Sequence, residues 1–144
     1  MNEQQPILIR SASLNDADAI FYLAARFATS FTLEEPVFRS SLPHLLSDSS
    51  ACLRIAEADG AVLGYVLGFE HLTFFASGRV AWVEEIMIVE SCRQRGIGRQ
   101  LMDAFTEWAR SRQCRLIALA TRRAAPFYRA LGYDESATYF RKVI

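Results

Sequence analysis

The sequence is poor in histidine and cysteine and carries no net charge. Its two histidines, His44 and His71, have no partner at ligand spacing. No metal centre is expected, and both read as surface residues. The three cysteines, Cys52, Cys92 and Cys114, are an odd count without metal spacing, as expected of reduced thiols in a cytoplasmic protein. Sixteen basic side chains balance sixteen acidic ones, which removes charge attraction as a basis for nucleic-acid or membrane binding. No apolar run is long enough to span a bilayer. The opening Met-Asn-Glu-Gln-Gln-Pro has neither the basic nor the apolar region of a secretory leader, so a cytoplasmic location is expected.

Apolar residues make up 51% of the 144 residues, which predicts one folded domain over residues 1–144 with a sizeable core. Its organising stretch runs from Ile86 to Leu101. An apolar segment ends, a basic turn with Gly96 and Gly98 follows, and a helical pattern begins. Strand, loop and helix in that order put unpaired N–H groups and the positive end of a helix dipole at the loop, where an anion is favoured. Arg93, Arg95 and Arg99 add positive charge. The plain alternative is a solvated helix start with two turn glycines.

The P-loop is excluded, because no Lys-Ser or Lys-Thr pair closes the loop. The dinucleotide fingerprint is disfavoured as well. Leu101 stands at its third glycine, and Thr121, Arg122 and Arg123 occupy the stretch where an acid is needed. An NADP enzyme using Arg122 is a third-ranked reading for the same reason.

Along the chain, Ile7 to Arg10 reads as a strand, and Ser13 with Asp16 as a capping box. Ala17, Ile20, Phe21, Ala24, Phe27 and Ala28 repeat at helical spacing. Ser30 to Ser50 reads as an irregular cover broken by Pro36 and Pro43, with a short helix capped by Thr32 and Glu35. It is also a candidate cleft wall offering a carboxylate to a cationic amine. Cys52–Ala58, the turn Asp59-Gly60 and Ala61–Glu70 predict a hairpin. Gly64 and Gly68 suggest a bend or a close approach. His71 to Arg79 reads as a connecting loop carrying Leu72, Phe74 and Phe75. Val80 to Val89 is a long strand interrupted by Glu84 and Glu85, which alternation puts on opposite faces unless a bulge intervenes. Leu101, Met102, Phe105, Trp108 and Ala109 form a helical stripe. Leu116 to Ala120 reads as a strand covered on both faces. Val80 to Ala120 is then a strand–helix–strand crossover with a parallel pair. Pro126 suits a helix start and Gly132 its end. Thr138 to Ile144 alternates as a final strand.

The loop Arg-x-x-Gly-x-Gly, Arg93 to Gly98, resembles the acetyl-CoA loop of the GNAT superfamily of N-acetyltransferases. Phe-Tyr-x-x-Leu-Gly-Tyr, Phe127 to Tyr133, resembles that superfamily's second signature. The likeness covers Val80 to Tyr133. Thr121 departs from it, standing where many members carry asparagine. The resemblance implies an α/β (α+β) fold, with a mixed, mostly antiparallel sheet, a central parallel strand pair splayed to hold CoA, and helices on both faces. It implies acetyl-CoA as co-substrate and no metal. The pantetheine arm would pair with the backbone of Ile86, Met87 and Ile88 by strand addition. The pyrophosphate would fall on Arg93, Gln94, Arg95, Gly96, Ile97, Gly98 and Arg99, with Phe127 close by.

The chemistry expected is acetyl transfer to a primary amine by direct attack in a ternary complex, in preference to a covalent route through Cys92. An alkylammonium with a pKa near ~10.4 must lose a proton first. Glu85 is the expected base, with Glu84 second. A backbone N–H near Ile86 to Ile88 is the expected oxyanion donor. The resemblance makes Tyr128 the acid for the departing thiolate, against the plain alternative of a core tyrosine. A CoA-binding module without turnover is the competing class. The acceptor could be a small amine, antibiotic, amino acid, peptide N-terminus or lysine, and the resemblance is compatible with a homodimer.

Overall fold

The computed structural model describes residues 5–93 and 95–144. A five-stranded sheet has the order β1-β2-β3-β4-β5, where β1 is Leu8–Ser11, β2 Ala51–Ala58, β3 Ala61–Thr73, β4 Gly78–Ile88 and β5 Cys114–Leu119. β1 to β4 are antiparallel neighbours, and β4 and β5 run parallel. Helices α1 (Ala17–Phe27) and α2 (Glu35–Ser47) lie on one face; α3 (Ile97–Ser111) and the short α4 (Ala125–Ala130) lie on the other. The mixed, splayed sheet expected from the sequence is the one observed.

The two cores follow from strand alternation. Ile55, Tyr65 and Leu67 pack against Ile20, Leu23 and Leu42. Cys52, Val66, Ala81 and Val83 pack against Ile97, Leu101, Met102 and Phe105. Gly68 leaves room for the Phe105 ring, and a Cβ on Gly64 would lie 2.8 Å from the Met87 carbonyl oxygen, so both glycines permit close approach.

Two ion clusters fix the helices to the sheet. Asp16, 5% exposed, accepts from Arg10 Nη1 and Nη2 and from the Ser13 N–H at 2.9, 2.8 and 2.8 Å. The expected capping box is present, although it opens a 3-10 turn (Leu14–Asp16) that leads into α1. Glu70, equally buried, accepts from Arg79 of β4 at 3.3 Å and from Arg112, just past α3, at 3.0 Å.

Three expectations need correction. β3 and β4 run on to Thr73 and Gly78, so most of His71 to Arg79 is strand, with the tip at Phe74 to Ser77. Both flanking strands gain ladder partners there, and Ser77 supplies the positive φ of 53° that the tight turn needs. Pro43 lies inside α2 without ending it, while Pro36 occupies the first turn, where a missing N–H costs nothing. Packing of Leu42, Leu45 and Leu46 on the sheet sustains α2 across the lost bond. Its cap is Glu34, without a side-chain bond, rather than Thr32. Finally, Thr138–Ile144 is not a strand. Alternation allows two faces, but a strand also needs a backbone partner. This tail instead stacks Tyr139 on Trp82, ring centroids 6.4 Å apart, and Arg141 donates to Ser30 Oγ at 2.9 Å.

Candidate active site

The site begins with an extra residue in β4. Leu67 pairs with Glu85, but Gly68 pairs with Val83, so Glu84 is unmatched and forms a bulge. The bulge changes which face the following residues serve. Ala81 and Val83 pack towards α3, whereas Met87 and Val89 pack towards α1 and α2. Glu85 belongs to the second set, and Glu84 is exposed.

β4 and β5 part at the same place. Their last paired residues are Val83 and Leu119, after which β4 continues to Ile88 and β5 stops. Val89 donates its N–H to the Leu63 carbonyl at 2.8 Å, so by alternation Met87 also turns its backbone groups to β3. Ile86 and Ile88 turn theirs to the gap that β5 has vacated. Of the three residues expected to pair with pantetheine, two therefore offer backbone and Met87 does not.

The gap leads to the N-terminus of α3. Gly96 is its N-cap with φ +78°, a left-handed turn that glycine takes without strain. The N–H groups of Ile97, Gly98 and Arg99 open the helix, where no preceding helical carbonyl exists to receive them. The Ile97 side chain is 1% exposed and anchors that turn in the core. Gly98 serves another purpose. Its φ is ordinary, and a Cβ there would lie 3.1 Å from Phe127 Cζ and 3.4 Å from Ile88 Cδ1. Its small size lets α4 close against α3, and of the two loop glycines only Gly96 has a positive φ. Arg93 and Arg99 are exposed; Arg95 donates to Cys92 Sγ at 3.6 Å. Gln94 lies outside the described residues.

A CoA-like group fits this arrangement. A diphosphate needs donors and positive charge, supplied by a glycine-turned helix start and three arginines. An extended amide-bearing arm needs a free strand edge, supplied by Ile86 and Ile88. Among the described residues no cluster of three His, Cys, Asp or Glu could hold a metal.

The two expected catalytic side chains lie on different elements, Glu85 on β4 and Tyr128 on α4. Tyr65, 1% exposed, donates its hydroxyl to Glu85 Oε1 at 2.7 Å. Burial raises the Glu85 pKa above the usual carboxylate range; the Tyr65 hydrogen bond lowers it and the Glu84 charge raises it further. Burial and the Glu85 charge also raise the Tyr65 pKa. Tyr128, 7% exposed, packs edge-on against Phe127 and Tyr133 at 5.0 and 5.7 Å. Burial, with a smaller contribution from Tyr133, pushes its pKa up to about 12. α4 is held by two C-terminal bonds, Tyr133 N–H to Tyr128 O and Gly132 N–H to Arg129 O, both 3.0 Å, the Schellman arrangement. Thr121 Oγ1 accepts the Ala124 N–H at 3.0 Å and shapes the turn into α4.

Sequence reasoning missed Tyr65, whose only signal was its position in a buried strand. It also missed a cavity of about 660 Å³ on the α1 side of β4, lined by Tyr22, Arg26, Met87, Val89, Glu90 and Arg93 among others. Of the two carboxylates in the expected cleft wall, Glu34 and Glu35, Glu35 is engaged at 3.0 Å by Arg39, which also pairs with Asp18 of α1 at 2.6 Å.

A model of the acetyltransferase (GNAT) family matches residues 17–133. Over 97 residues the chain is 30% identical to the aminoglycoside N(6′)-acetyltransferase type 1 of Salmonella typhimurium, covering 61% of this chain and 67% of the relative. It is 26% identical over 140 residues to the aminoalkylphosphonate N-acetyltransferase of the same organism, covering 94% and 90%. The solved structure of the aminoglycoside N-acetyltransferase AAC(6′)-Iy in complex with CoA superposes with a TM-score of 0.85 at 22% identity, covering 99% of this chain and 98% of that one. That last likeness is one of fold.

Proposed function

Because this chain belongs to the GNAT acetyltransferase family, we propose that it transfers the acetyl group of acetyl-CoA directly to the nitrogen of a primary amine. The observation that carries the reading is the parting of β4 from β5 at the Glu84 bulge. It opens a strand edge leading to a basic helix start and sets Glu85 on the opposite face of that strand. Acetyl-CoA would lie along Ile86 and Ile88, with its diphosphate on Gly96, Ile97, Gly98 and Arg99 and with Arg93 and Arg95 beside it. The acceptor would enter from the α1 and α2 side. The named relatives act on aminoglycosides and aminoalkylphosphonates, which share a primary amine and little else.

In this reading Glu85 takes the ammonium proton, directly or through water, and the free amine attacks the thioester carbon. A gap-facing N–H of Ile86 or Ile88 meets the developing oxyanion. The C–S bond breaks, the second nitrogen proton passes to water or to the departing sulfur, and Tyr128 donates a hydrogen bond to that sulfur. With its proton held to about 12, Tyr128 remains protonated throughout the neutral range. A thiol titrates near ~8.5, so complete transfer is uphill, and the hydrogen bond to developing negative charge is the main contribution. Cys92 is not required. The domain is a single catalytic unit, and a homodimer is not needed for any step.

The test is release of the CoA thiol on mixing acetyl-CoA with amines of different classes. Amine-dependent release supports the reading. Acetyl-CoA binding without release from any amine would instead make the protein a CoA-binding module.

A further inference from the structure

We propose that the acceptor carries an anionic group several bonds away from its reacting nitrogen, and that Arg26 holds that group. The inference rests on the acetyltransferase reading and extends it to the acceptor's chemistry. The cavity beside β4 has two guanidiniums, Arg26 and Arg93, against one carboxylate, Glu90. Arg93 also serves the diphosphate loop, so the guanidinium left for an acceptor is Arg26, which no carboxylate engages among the described residues and which suits an anion. Asp18 and Glu35, elsewhere on α1 and α2, share Arg39 and do not line this cavity.

Arg26 is positioned for recognition. Its guanidinium carbon lies 3.3 Å above the centre of the Tyr22 ring, and Nη1 donates to the Tyr22 carbonyl at 2.9 Å. These contacts hold the planar fork and leave other donors free for a carboxylate or phosphonate. No ion pair occupies Arg26 among the described residues. Arg93 is the boundary residue, since it also opens the basic loop, so Arg26 is the one assigned to the acceptor.

The strand sets a length. Glu85, Met87 and Val89 share a face, and the latter two lie roughly 7 and 13 Å beyond Glu85 at about 3.3 Å per residue. The cavity is lined by Met87 and Val89, so an anion bound there is several bonds from an amine poised at Glu85. An α-amino acid, with both groups on one carbon, is too short. An ω-amino acid, a lysine-like amine, or an aminoalkyl phosphonate of roughly five or more carbons spans the distance.

Thiol release would be measured with aminohexanoate, aminohexylphosphonate, hexylamine, diaminohexane and glycine. Both six-carbon anionic amines should exceed hexylamine by about 10-fold or more in kcat/KM, the scale of a charge-assisted hydrogen bond. Glycine and diaminohexane should fall below hexylamine, and the carboxylate-to-phosphonate ratio identifies the preferred anion. Arg26→Gln should raise KM for the anionic amines by about 10-fold while sparing hexylamine, and Arg26→Glu should favour diaminohexane. Equal use of hexylamine and the anionic amines, or an equal loss on all amines in Arg26→Gln, would overturn the anion assignment alone. No release from any of these, nor from an aminoglycoside or a peptide N-terminus, would overturn the acetyltransferase reading itself.

Discussion

The Tyr65 hydroxyl points at Glu85 from the neighbouring strand and donates to its Oε1 at 2.7 Å. The tyrosine is almost wholly buried, so this donor is fixed in place. It opposes the desolvation that raises the Glu85 pKa. If Glu85 is the base, only its ionised form works. The acid limb of kcat/KM should then lie above the ordinary glutamate value of ~4.3.

Replacing the three groups should move that limb in different ways. Tyr65→Phe removes a bond that favours the charged form, so the limb should shift to higher pH. Glu84→Gln removes a repelling charge, so it should shift to lower pH. Glu85→Gln should abolish the limb and lower the rate by roughly 10²-fold, with partial recovery as rising pH delivers free amine. pH profiles of the three variants check this. Should Glu84→Gln lose the limb while Glu85→Gln keeps it, the two acids exchange roles; should both keep it, the base is a water chain or another residue.

Tyr128→Phe keeps the ring and removes the hydroxyl. Turnover should fall by roughly 10²-fold if the hydroxyl meets the departing sulfur. Acetyl-CoA affinity should hardly change, and stability should drop by no more than about 1 kcal/mol. Because its pKa is about 12, Tyr128 should cause no loss of rate between neutral pH and about pH 10. Steady-state rates and urea unfolding on one preparation decide the matter. Near-normal turnover in a less stable protein would make Tyr128 a core residue only.

The two loop glycines should respond differently. Gly96→Ala meets no atom within 4 Å but must adopt φ +78°, at a cost of about 1–2 kcal/mol. Gly98→Val has no such strain, yet its side chain meets Phe127 and Ile88. It should push α4 away and weaken both stability and acetyl-CoA binding. Calorimetry with acetyl-CoA, paired with thermal unfolding, separates the cases. Unchanged affinity in a folded Gly98→Val protein would contradict the assignment of this loop.

Asp16 offers a test of the fold that is independent of catalysis. Its carboxylate is held below the usual range, chiefly by the Arg10 hydrogen bonds. A lowered carboxylate pKa contributes stability that is fully present above the unfolded value near ~3.9 and is lost as pH falls through the lower folded value. Asp16→Asn should therefore cost about 1–3 kcal/mol at pH 7, with the gap to the natural protein closing in acid. Urea titrations at pH 7 and pH 3 measure it; equal stability at pH 7 would show that the cluster contributes nothing.

Much of this was legible in the sequence because local chemistry decided it. Ser13 and Asp16 announced the capping box, Asp59-Gly60 the first hairpin, and Arg93 to Gly98 the basic helix start. What could not be read depends on partners remote in sequence. Nothing in Val80 to Val89 says which residue bulges, because that is settled where Leu67 and Gly68 pair across the ladder. Tyr65 gains its meaning from Glu85, twenty residues on. Gly98 reads as a phosphate-loop residue, and nothing local in the sequence shows that Phe127, far along the chain, packs over it. The final stretch had a strand's alternation without a strand's neighbour.

The bulge at Glu84 also acts as a phase slip within a single strand. Before it, β4 is committed along its length to a permanent companion, β5. After it, the same strand leaves one edge without β5, while Glu85 and Met87 face the α1 and α2 side and Ile86 and Ile88 face α3. In the proposed reaction, donor and acceptor specificity would thereby be written in different alphabets, backbone for one and side chains for the other. On that proposal, changes at Tyr22, Arg26 or Met87 would retune the choice of acceptor without altering the grip on the donor. Deleting the single residue Glu84 would scramble both at once.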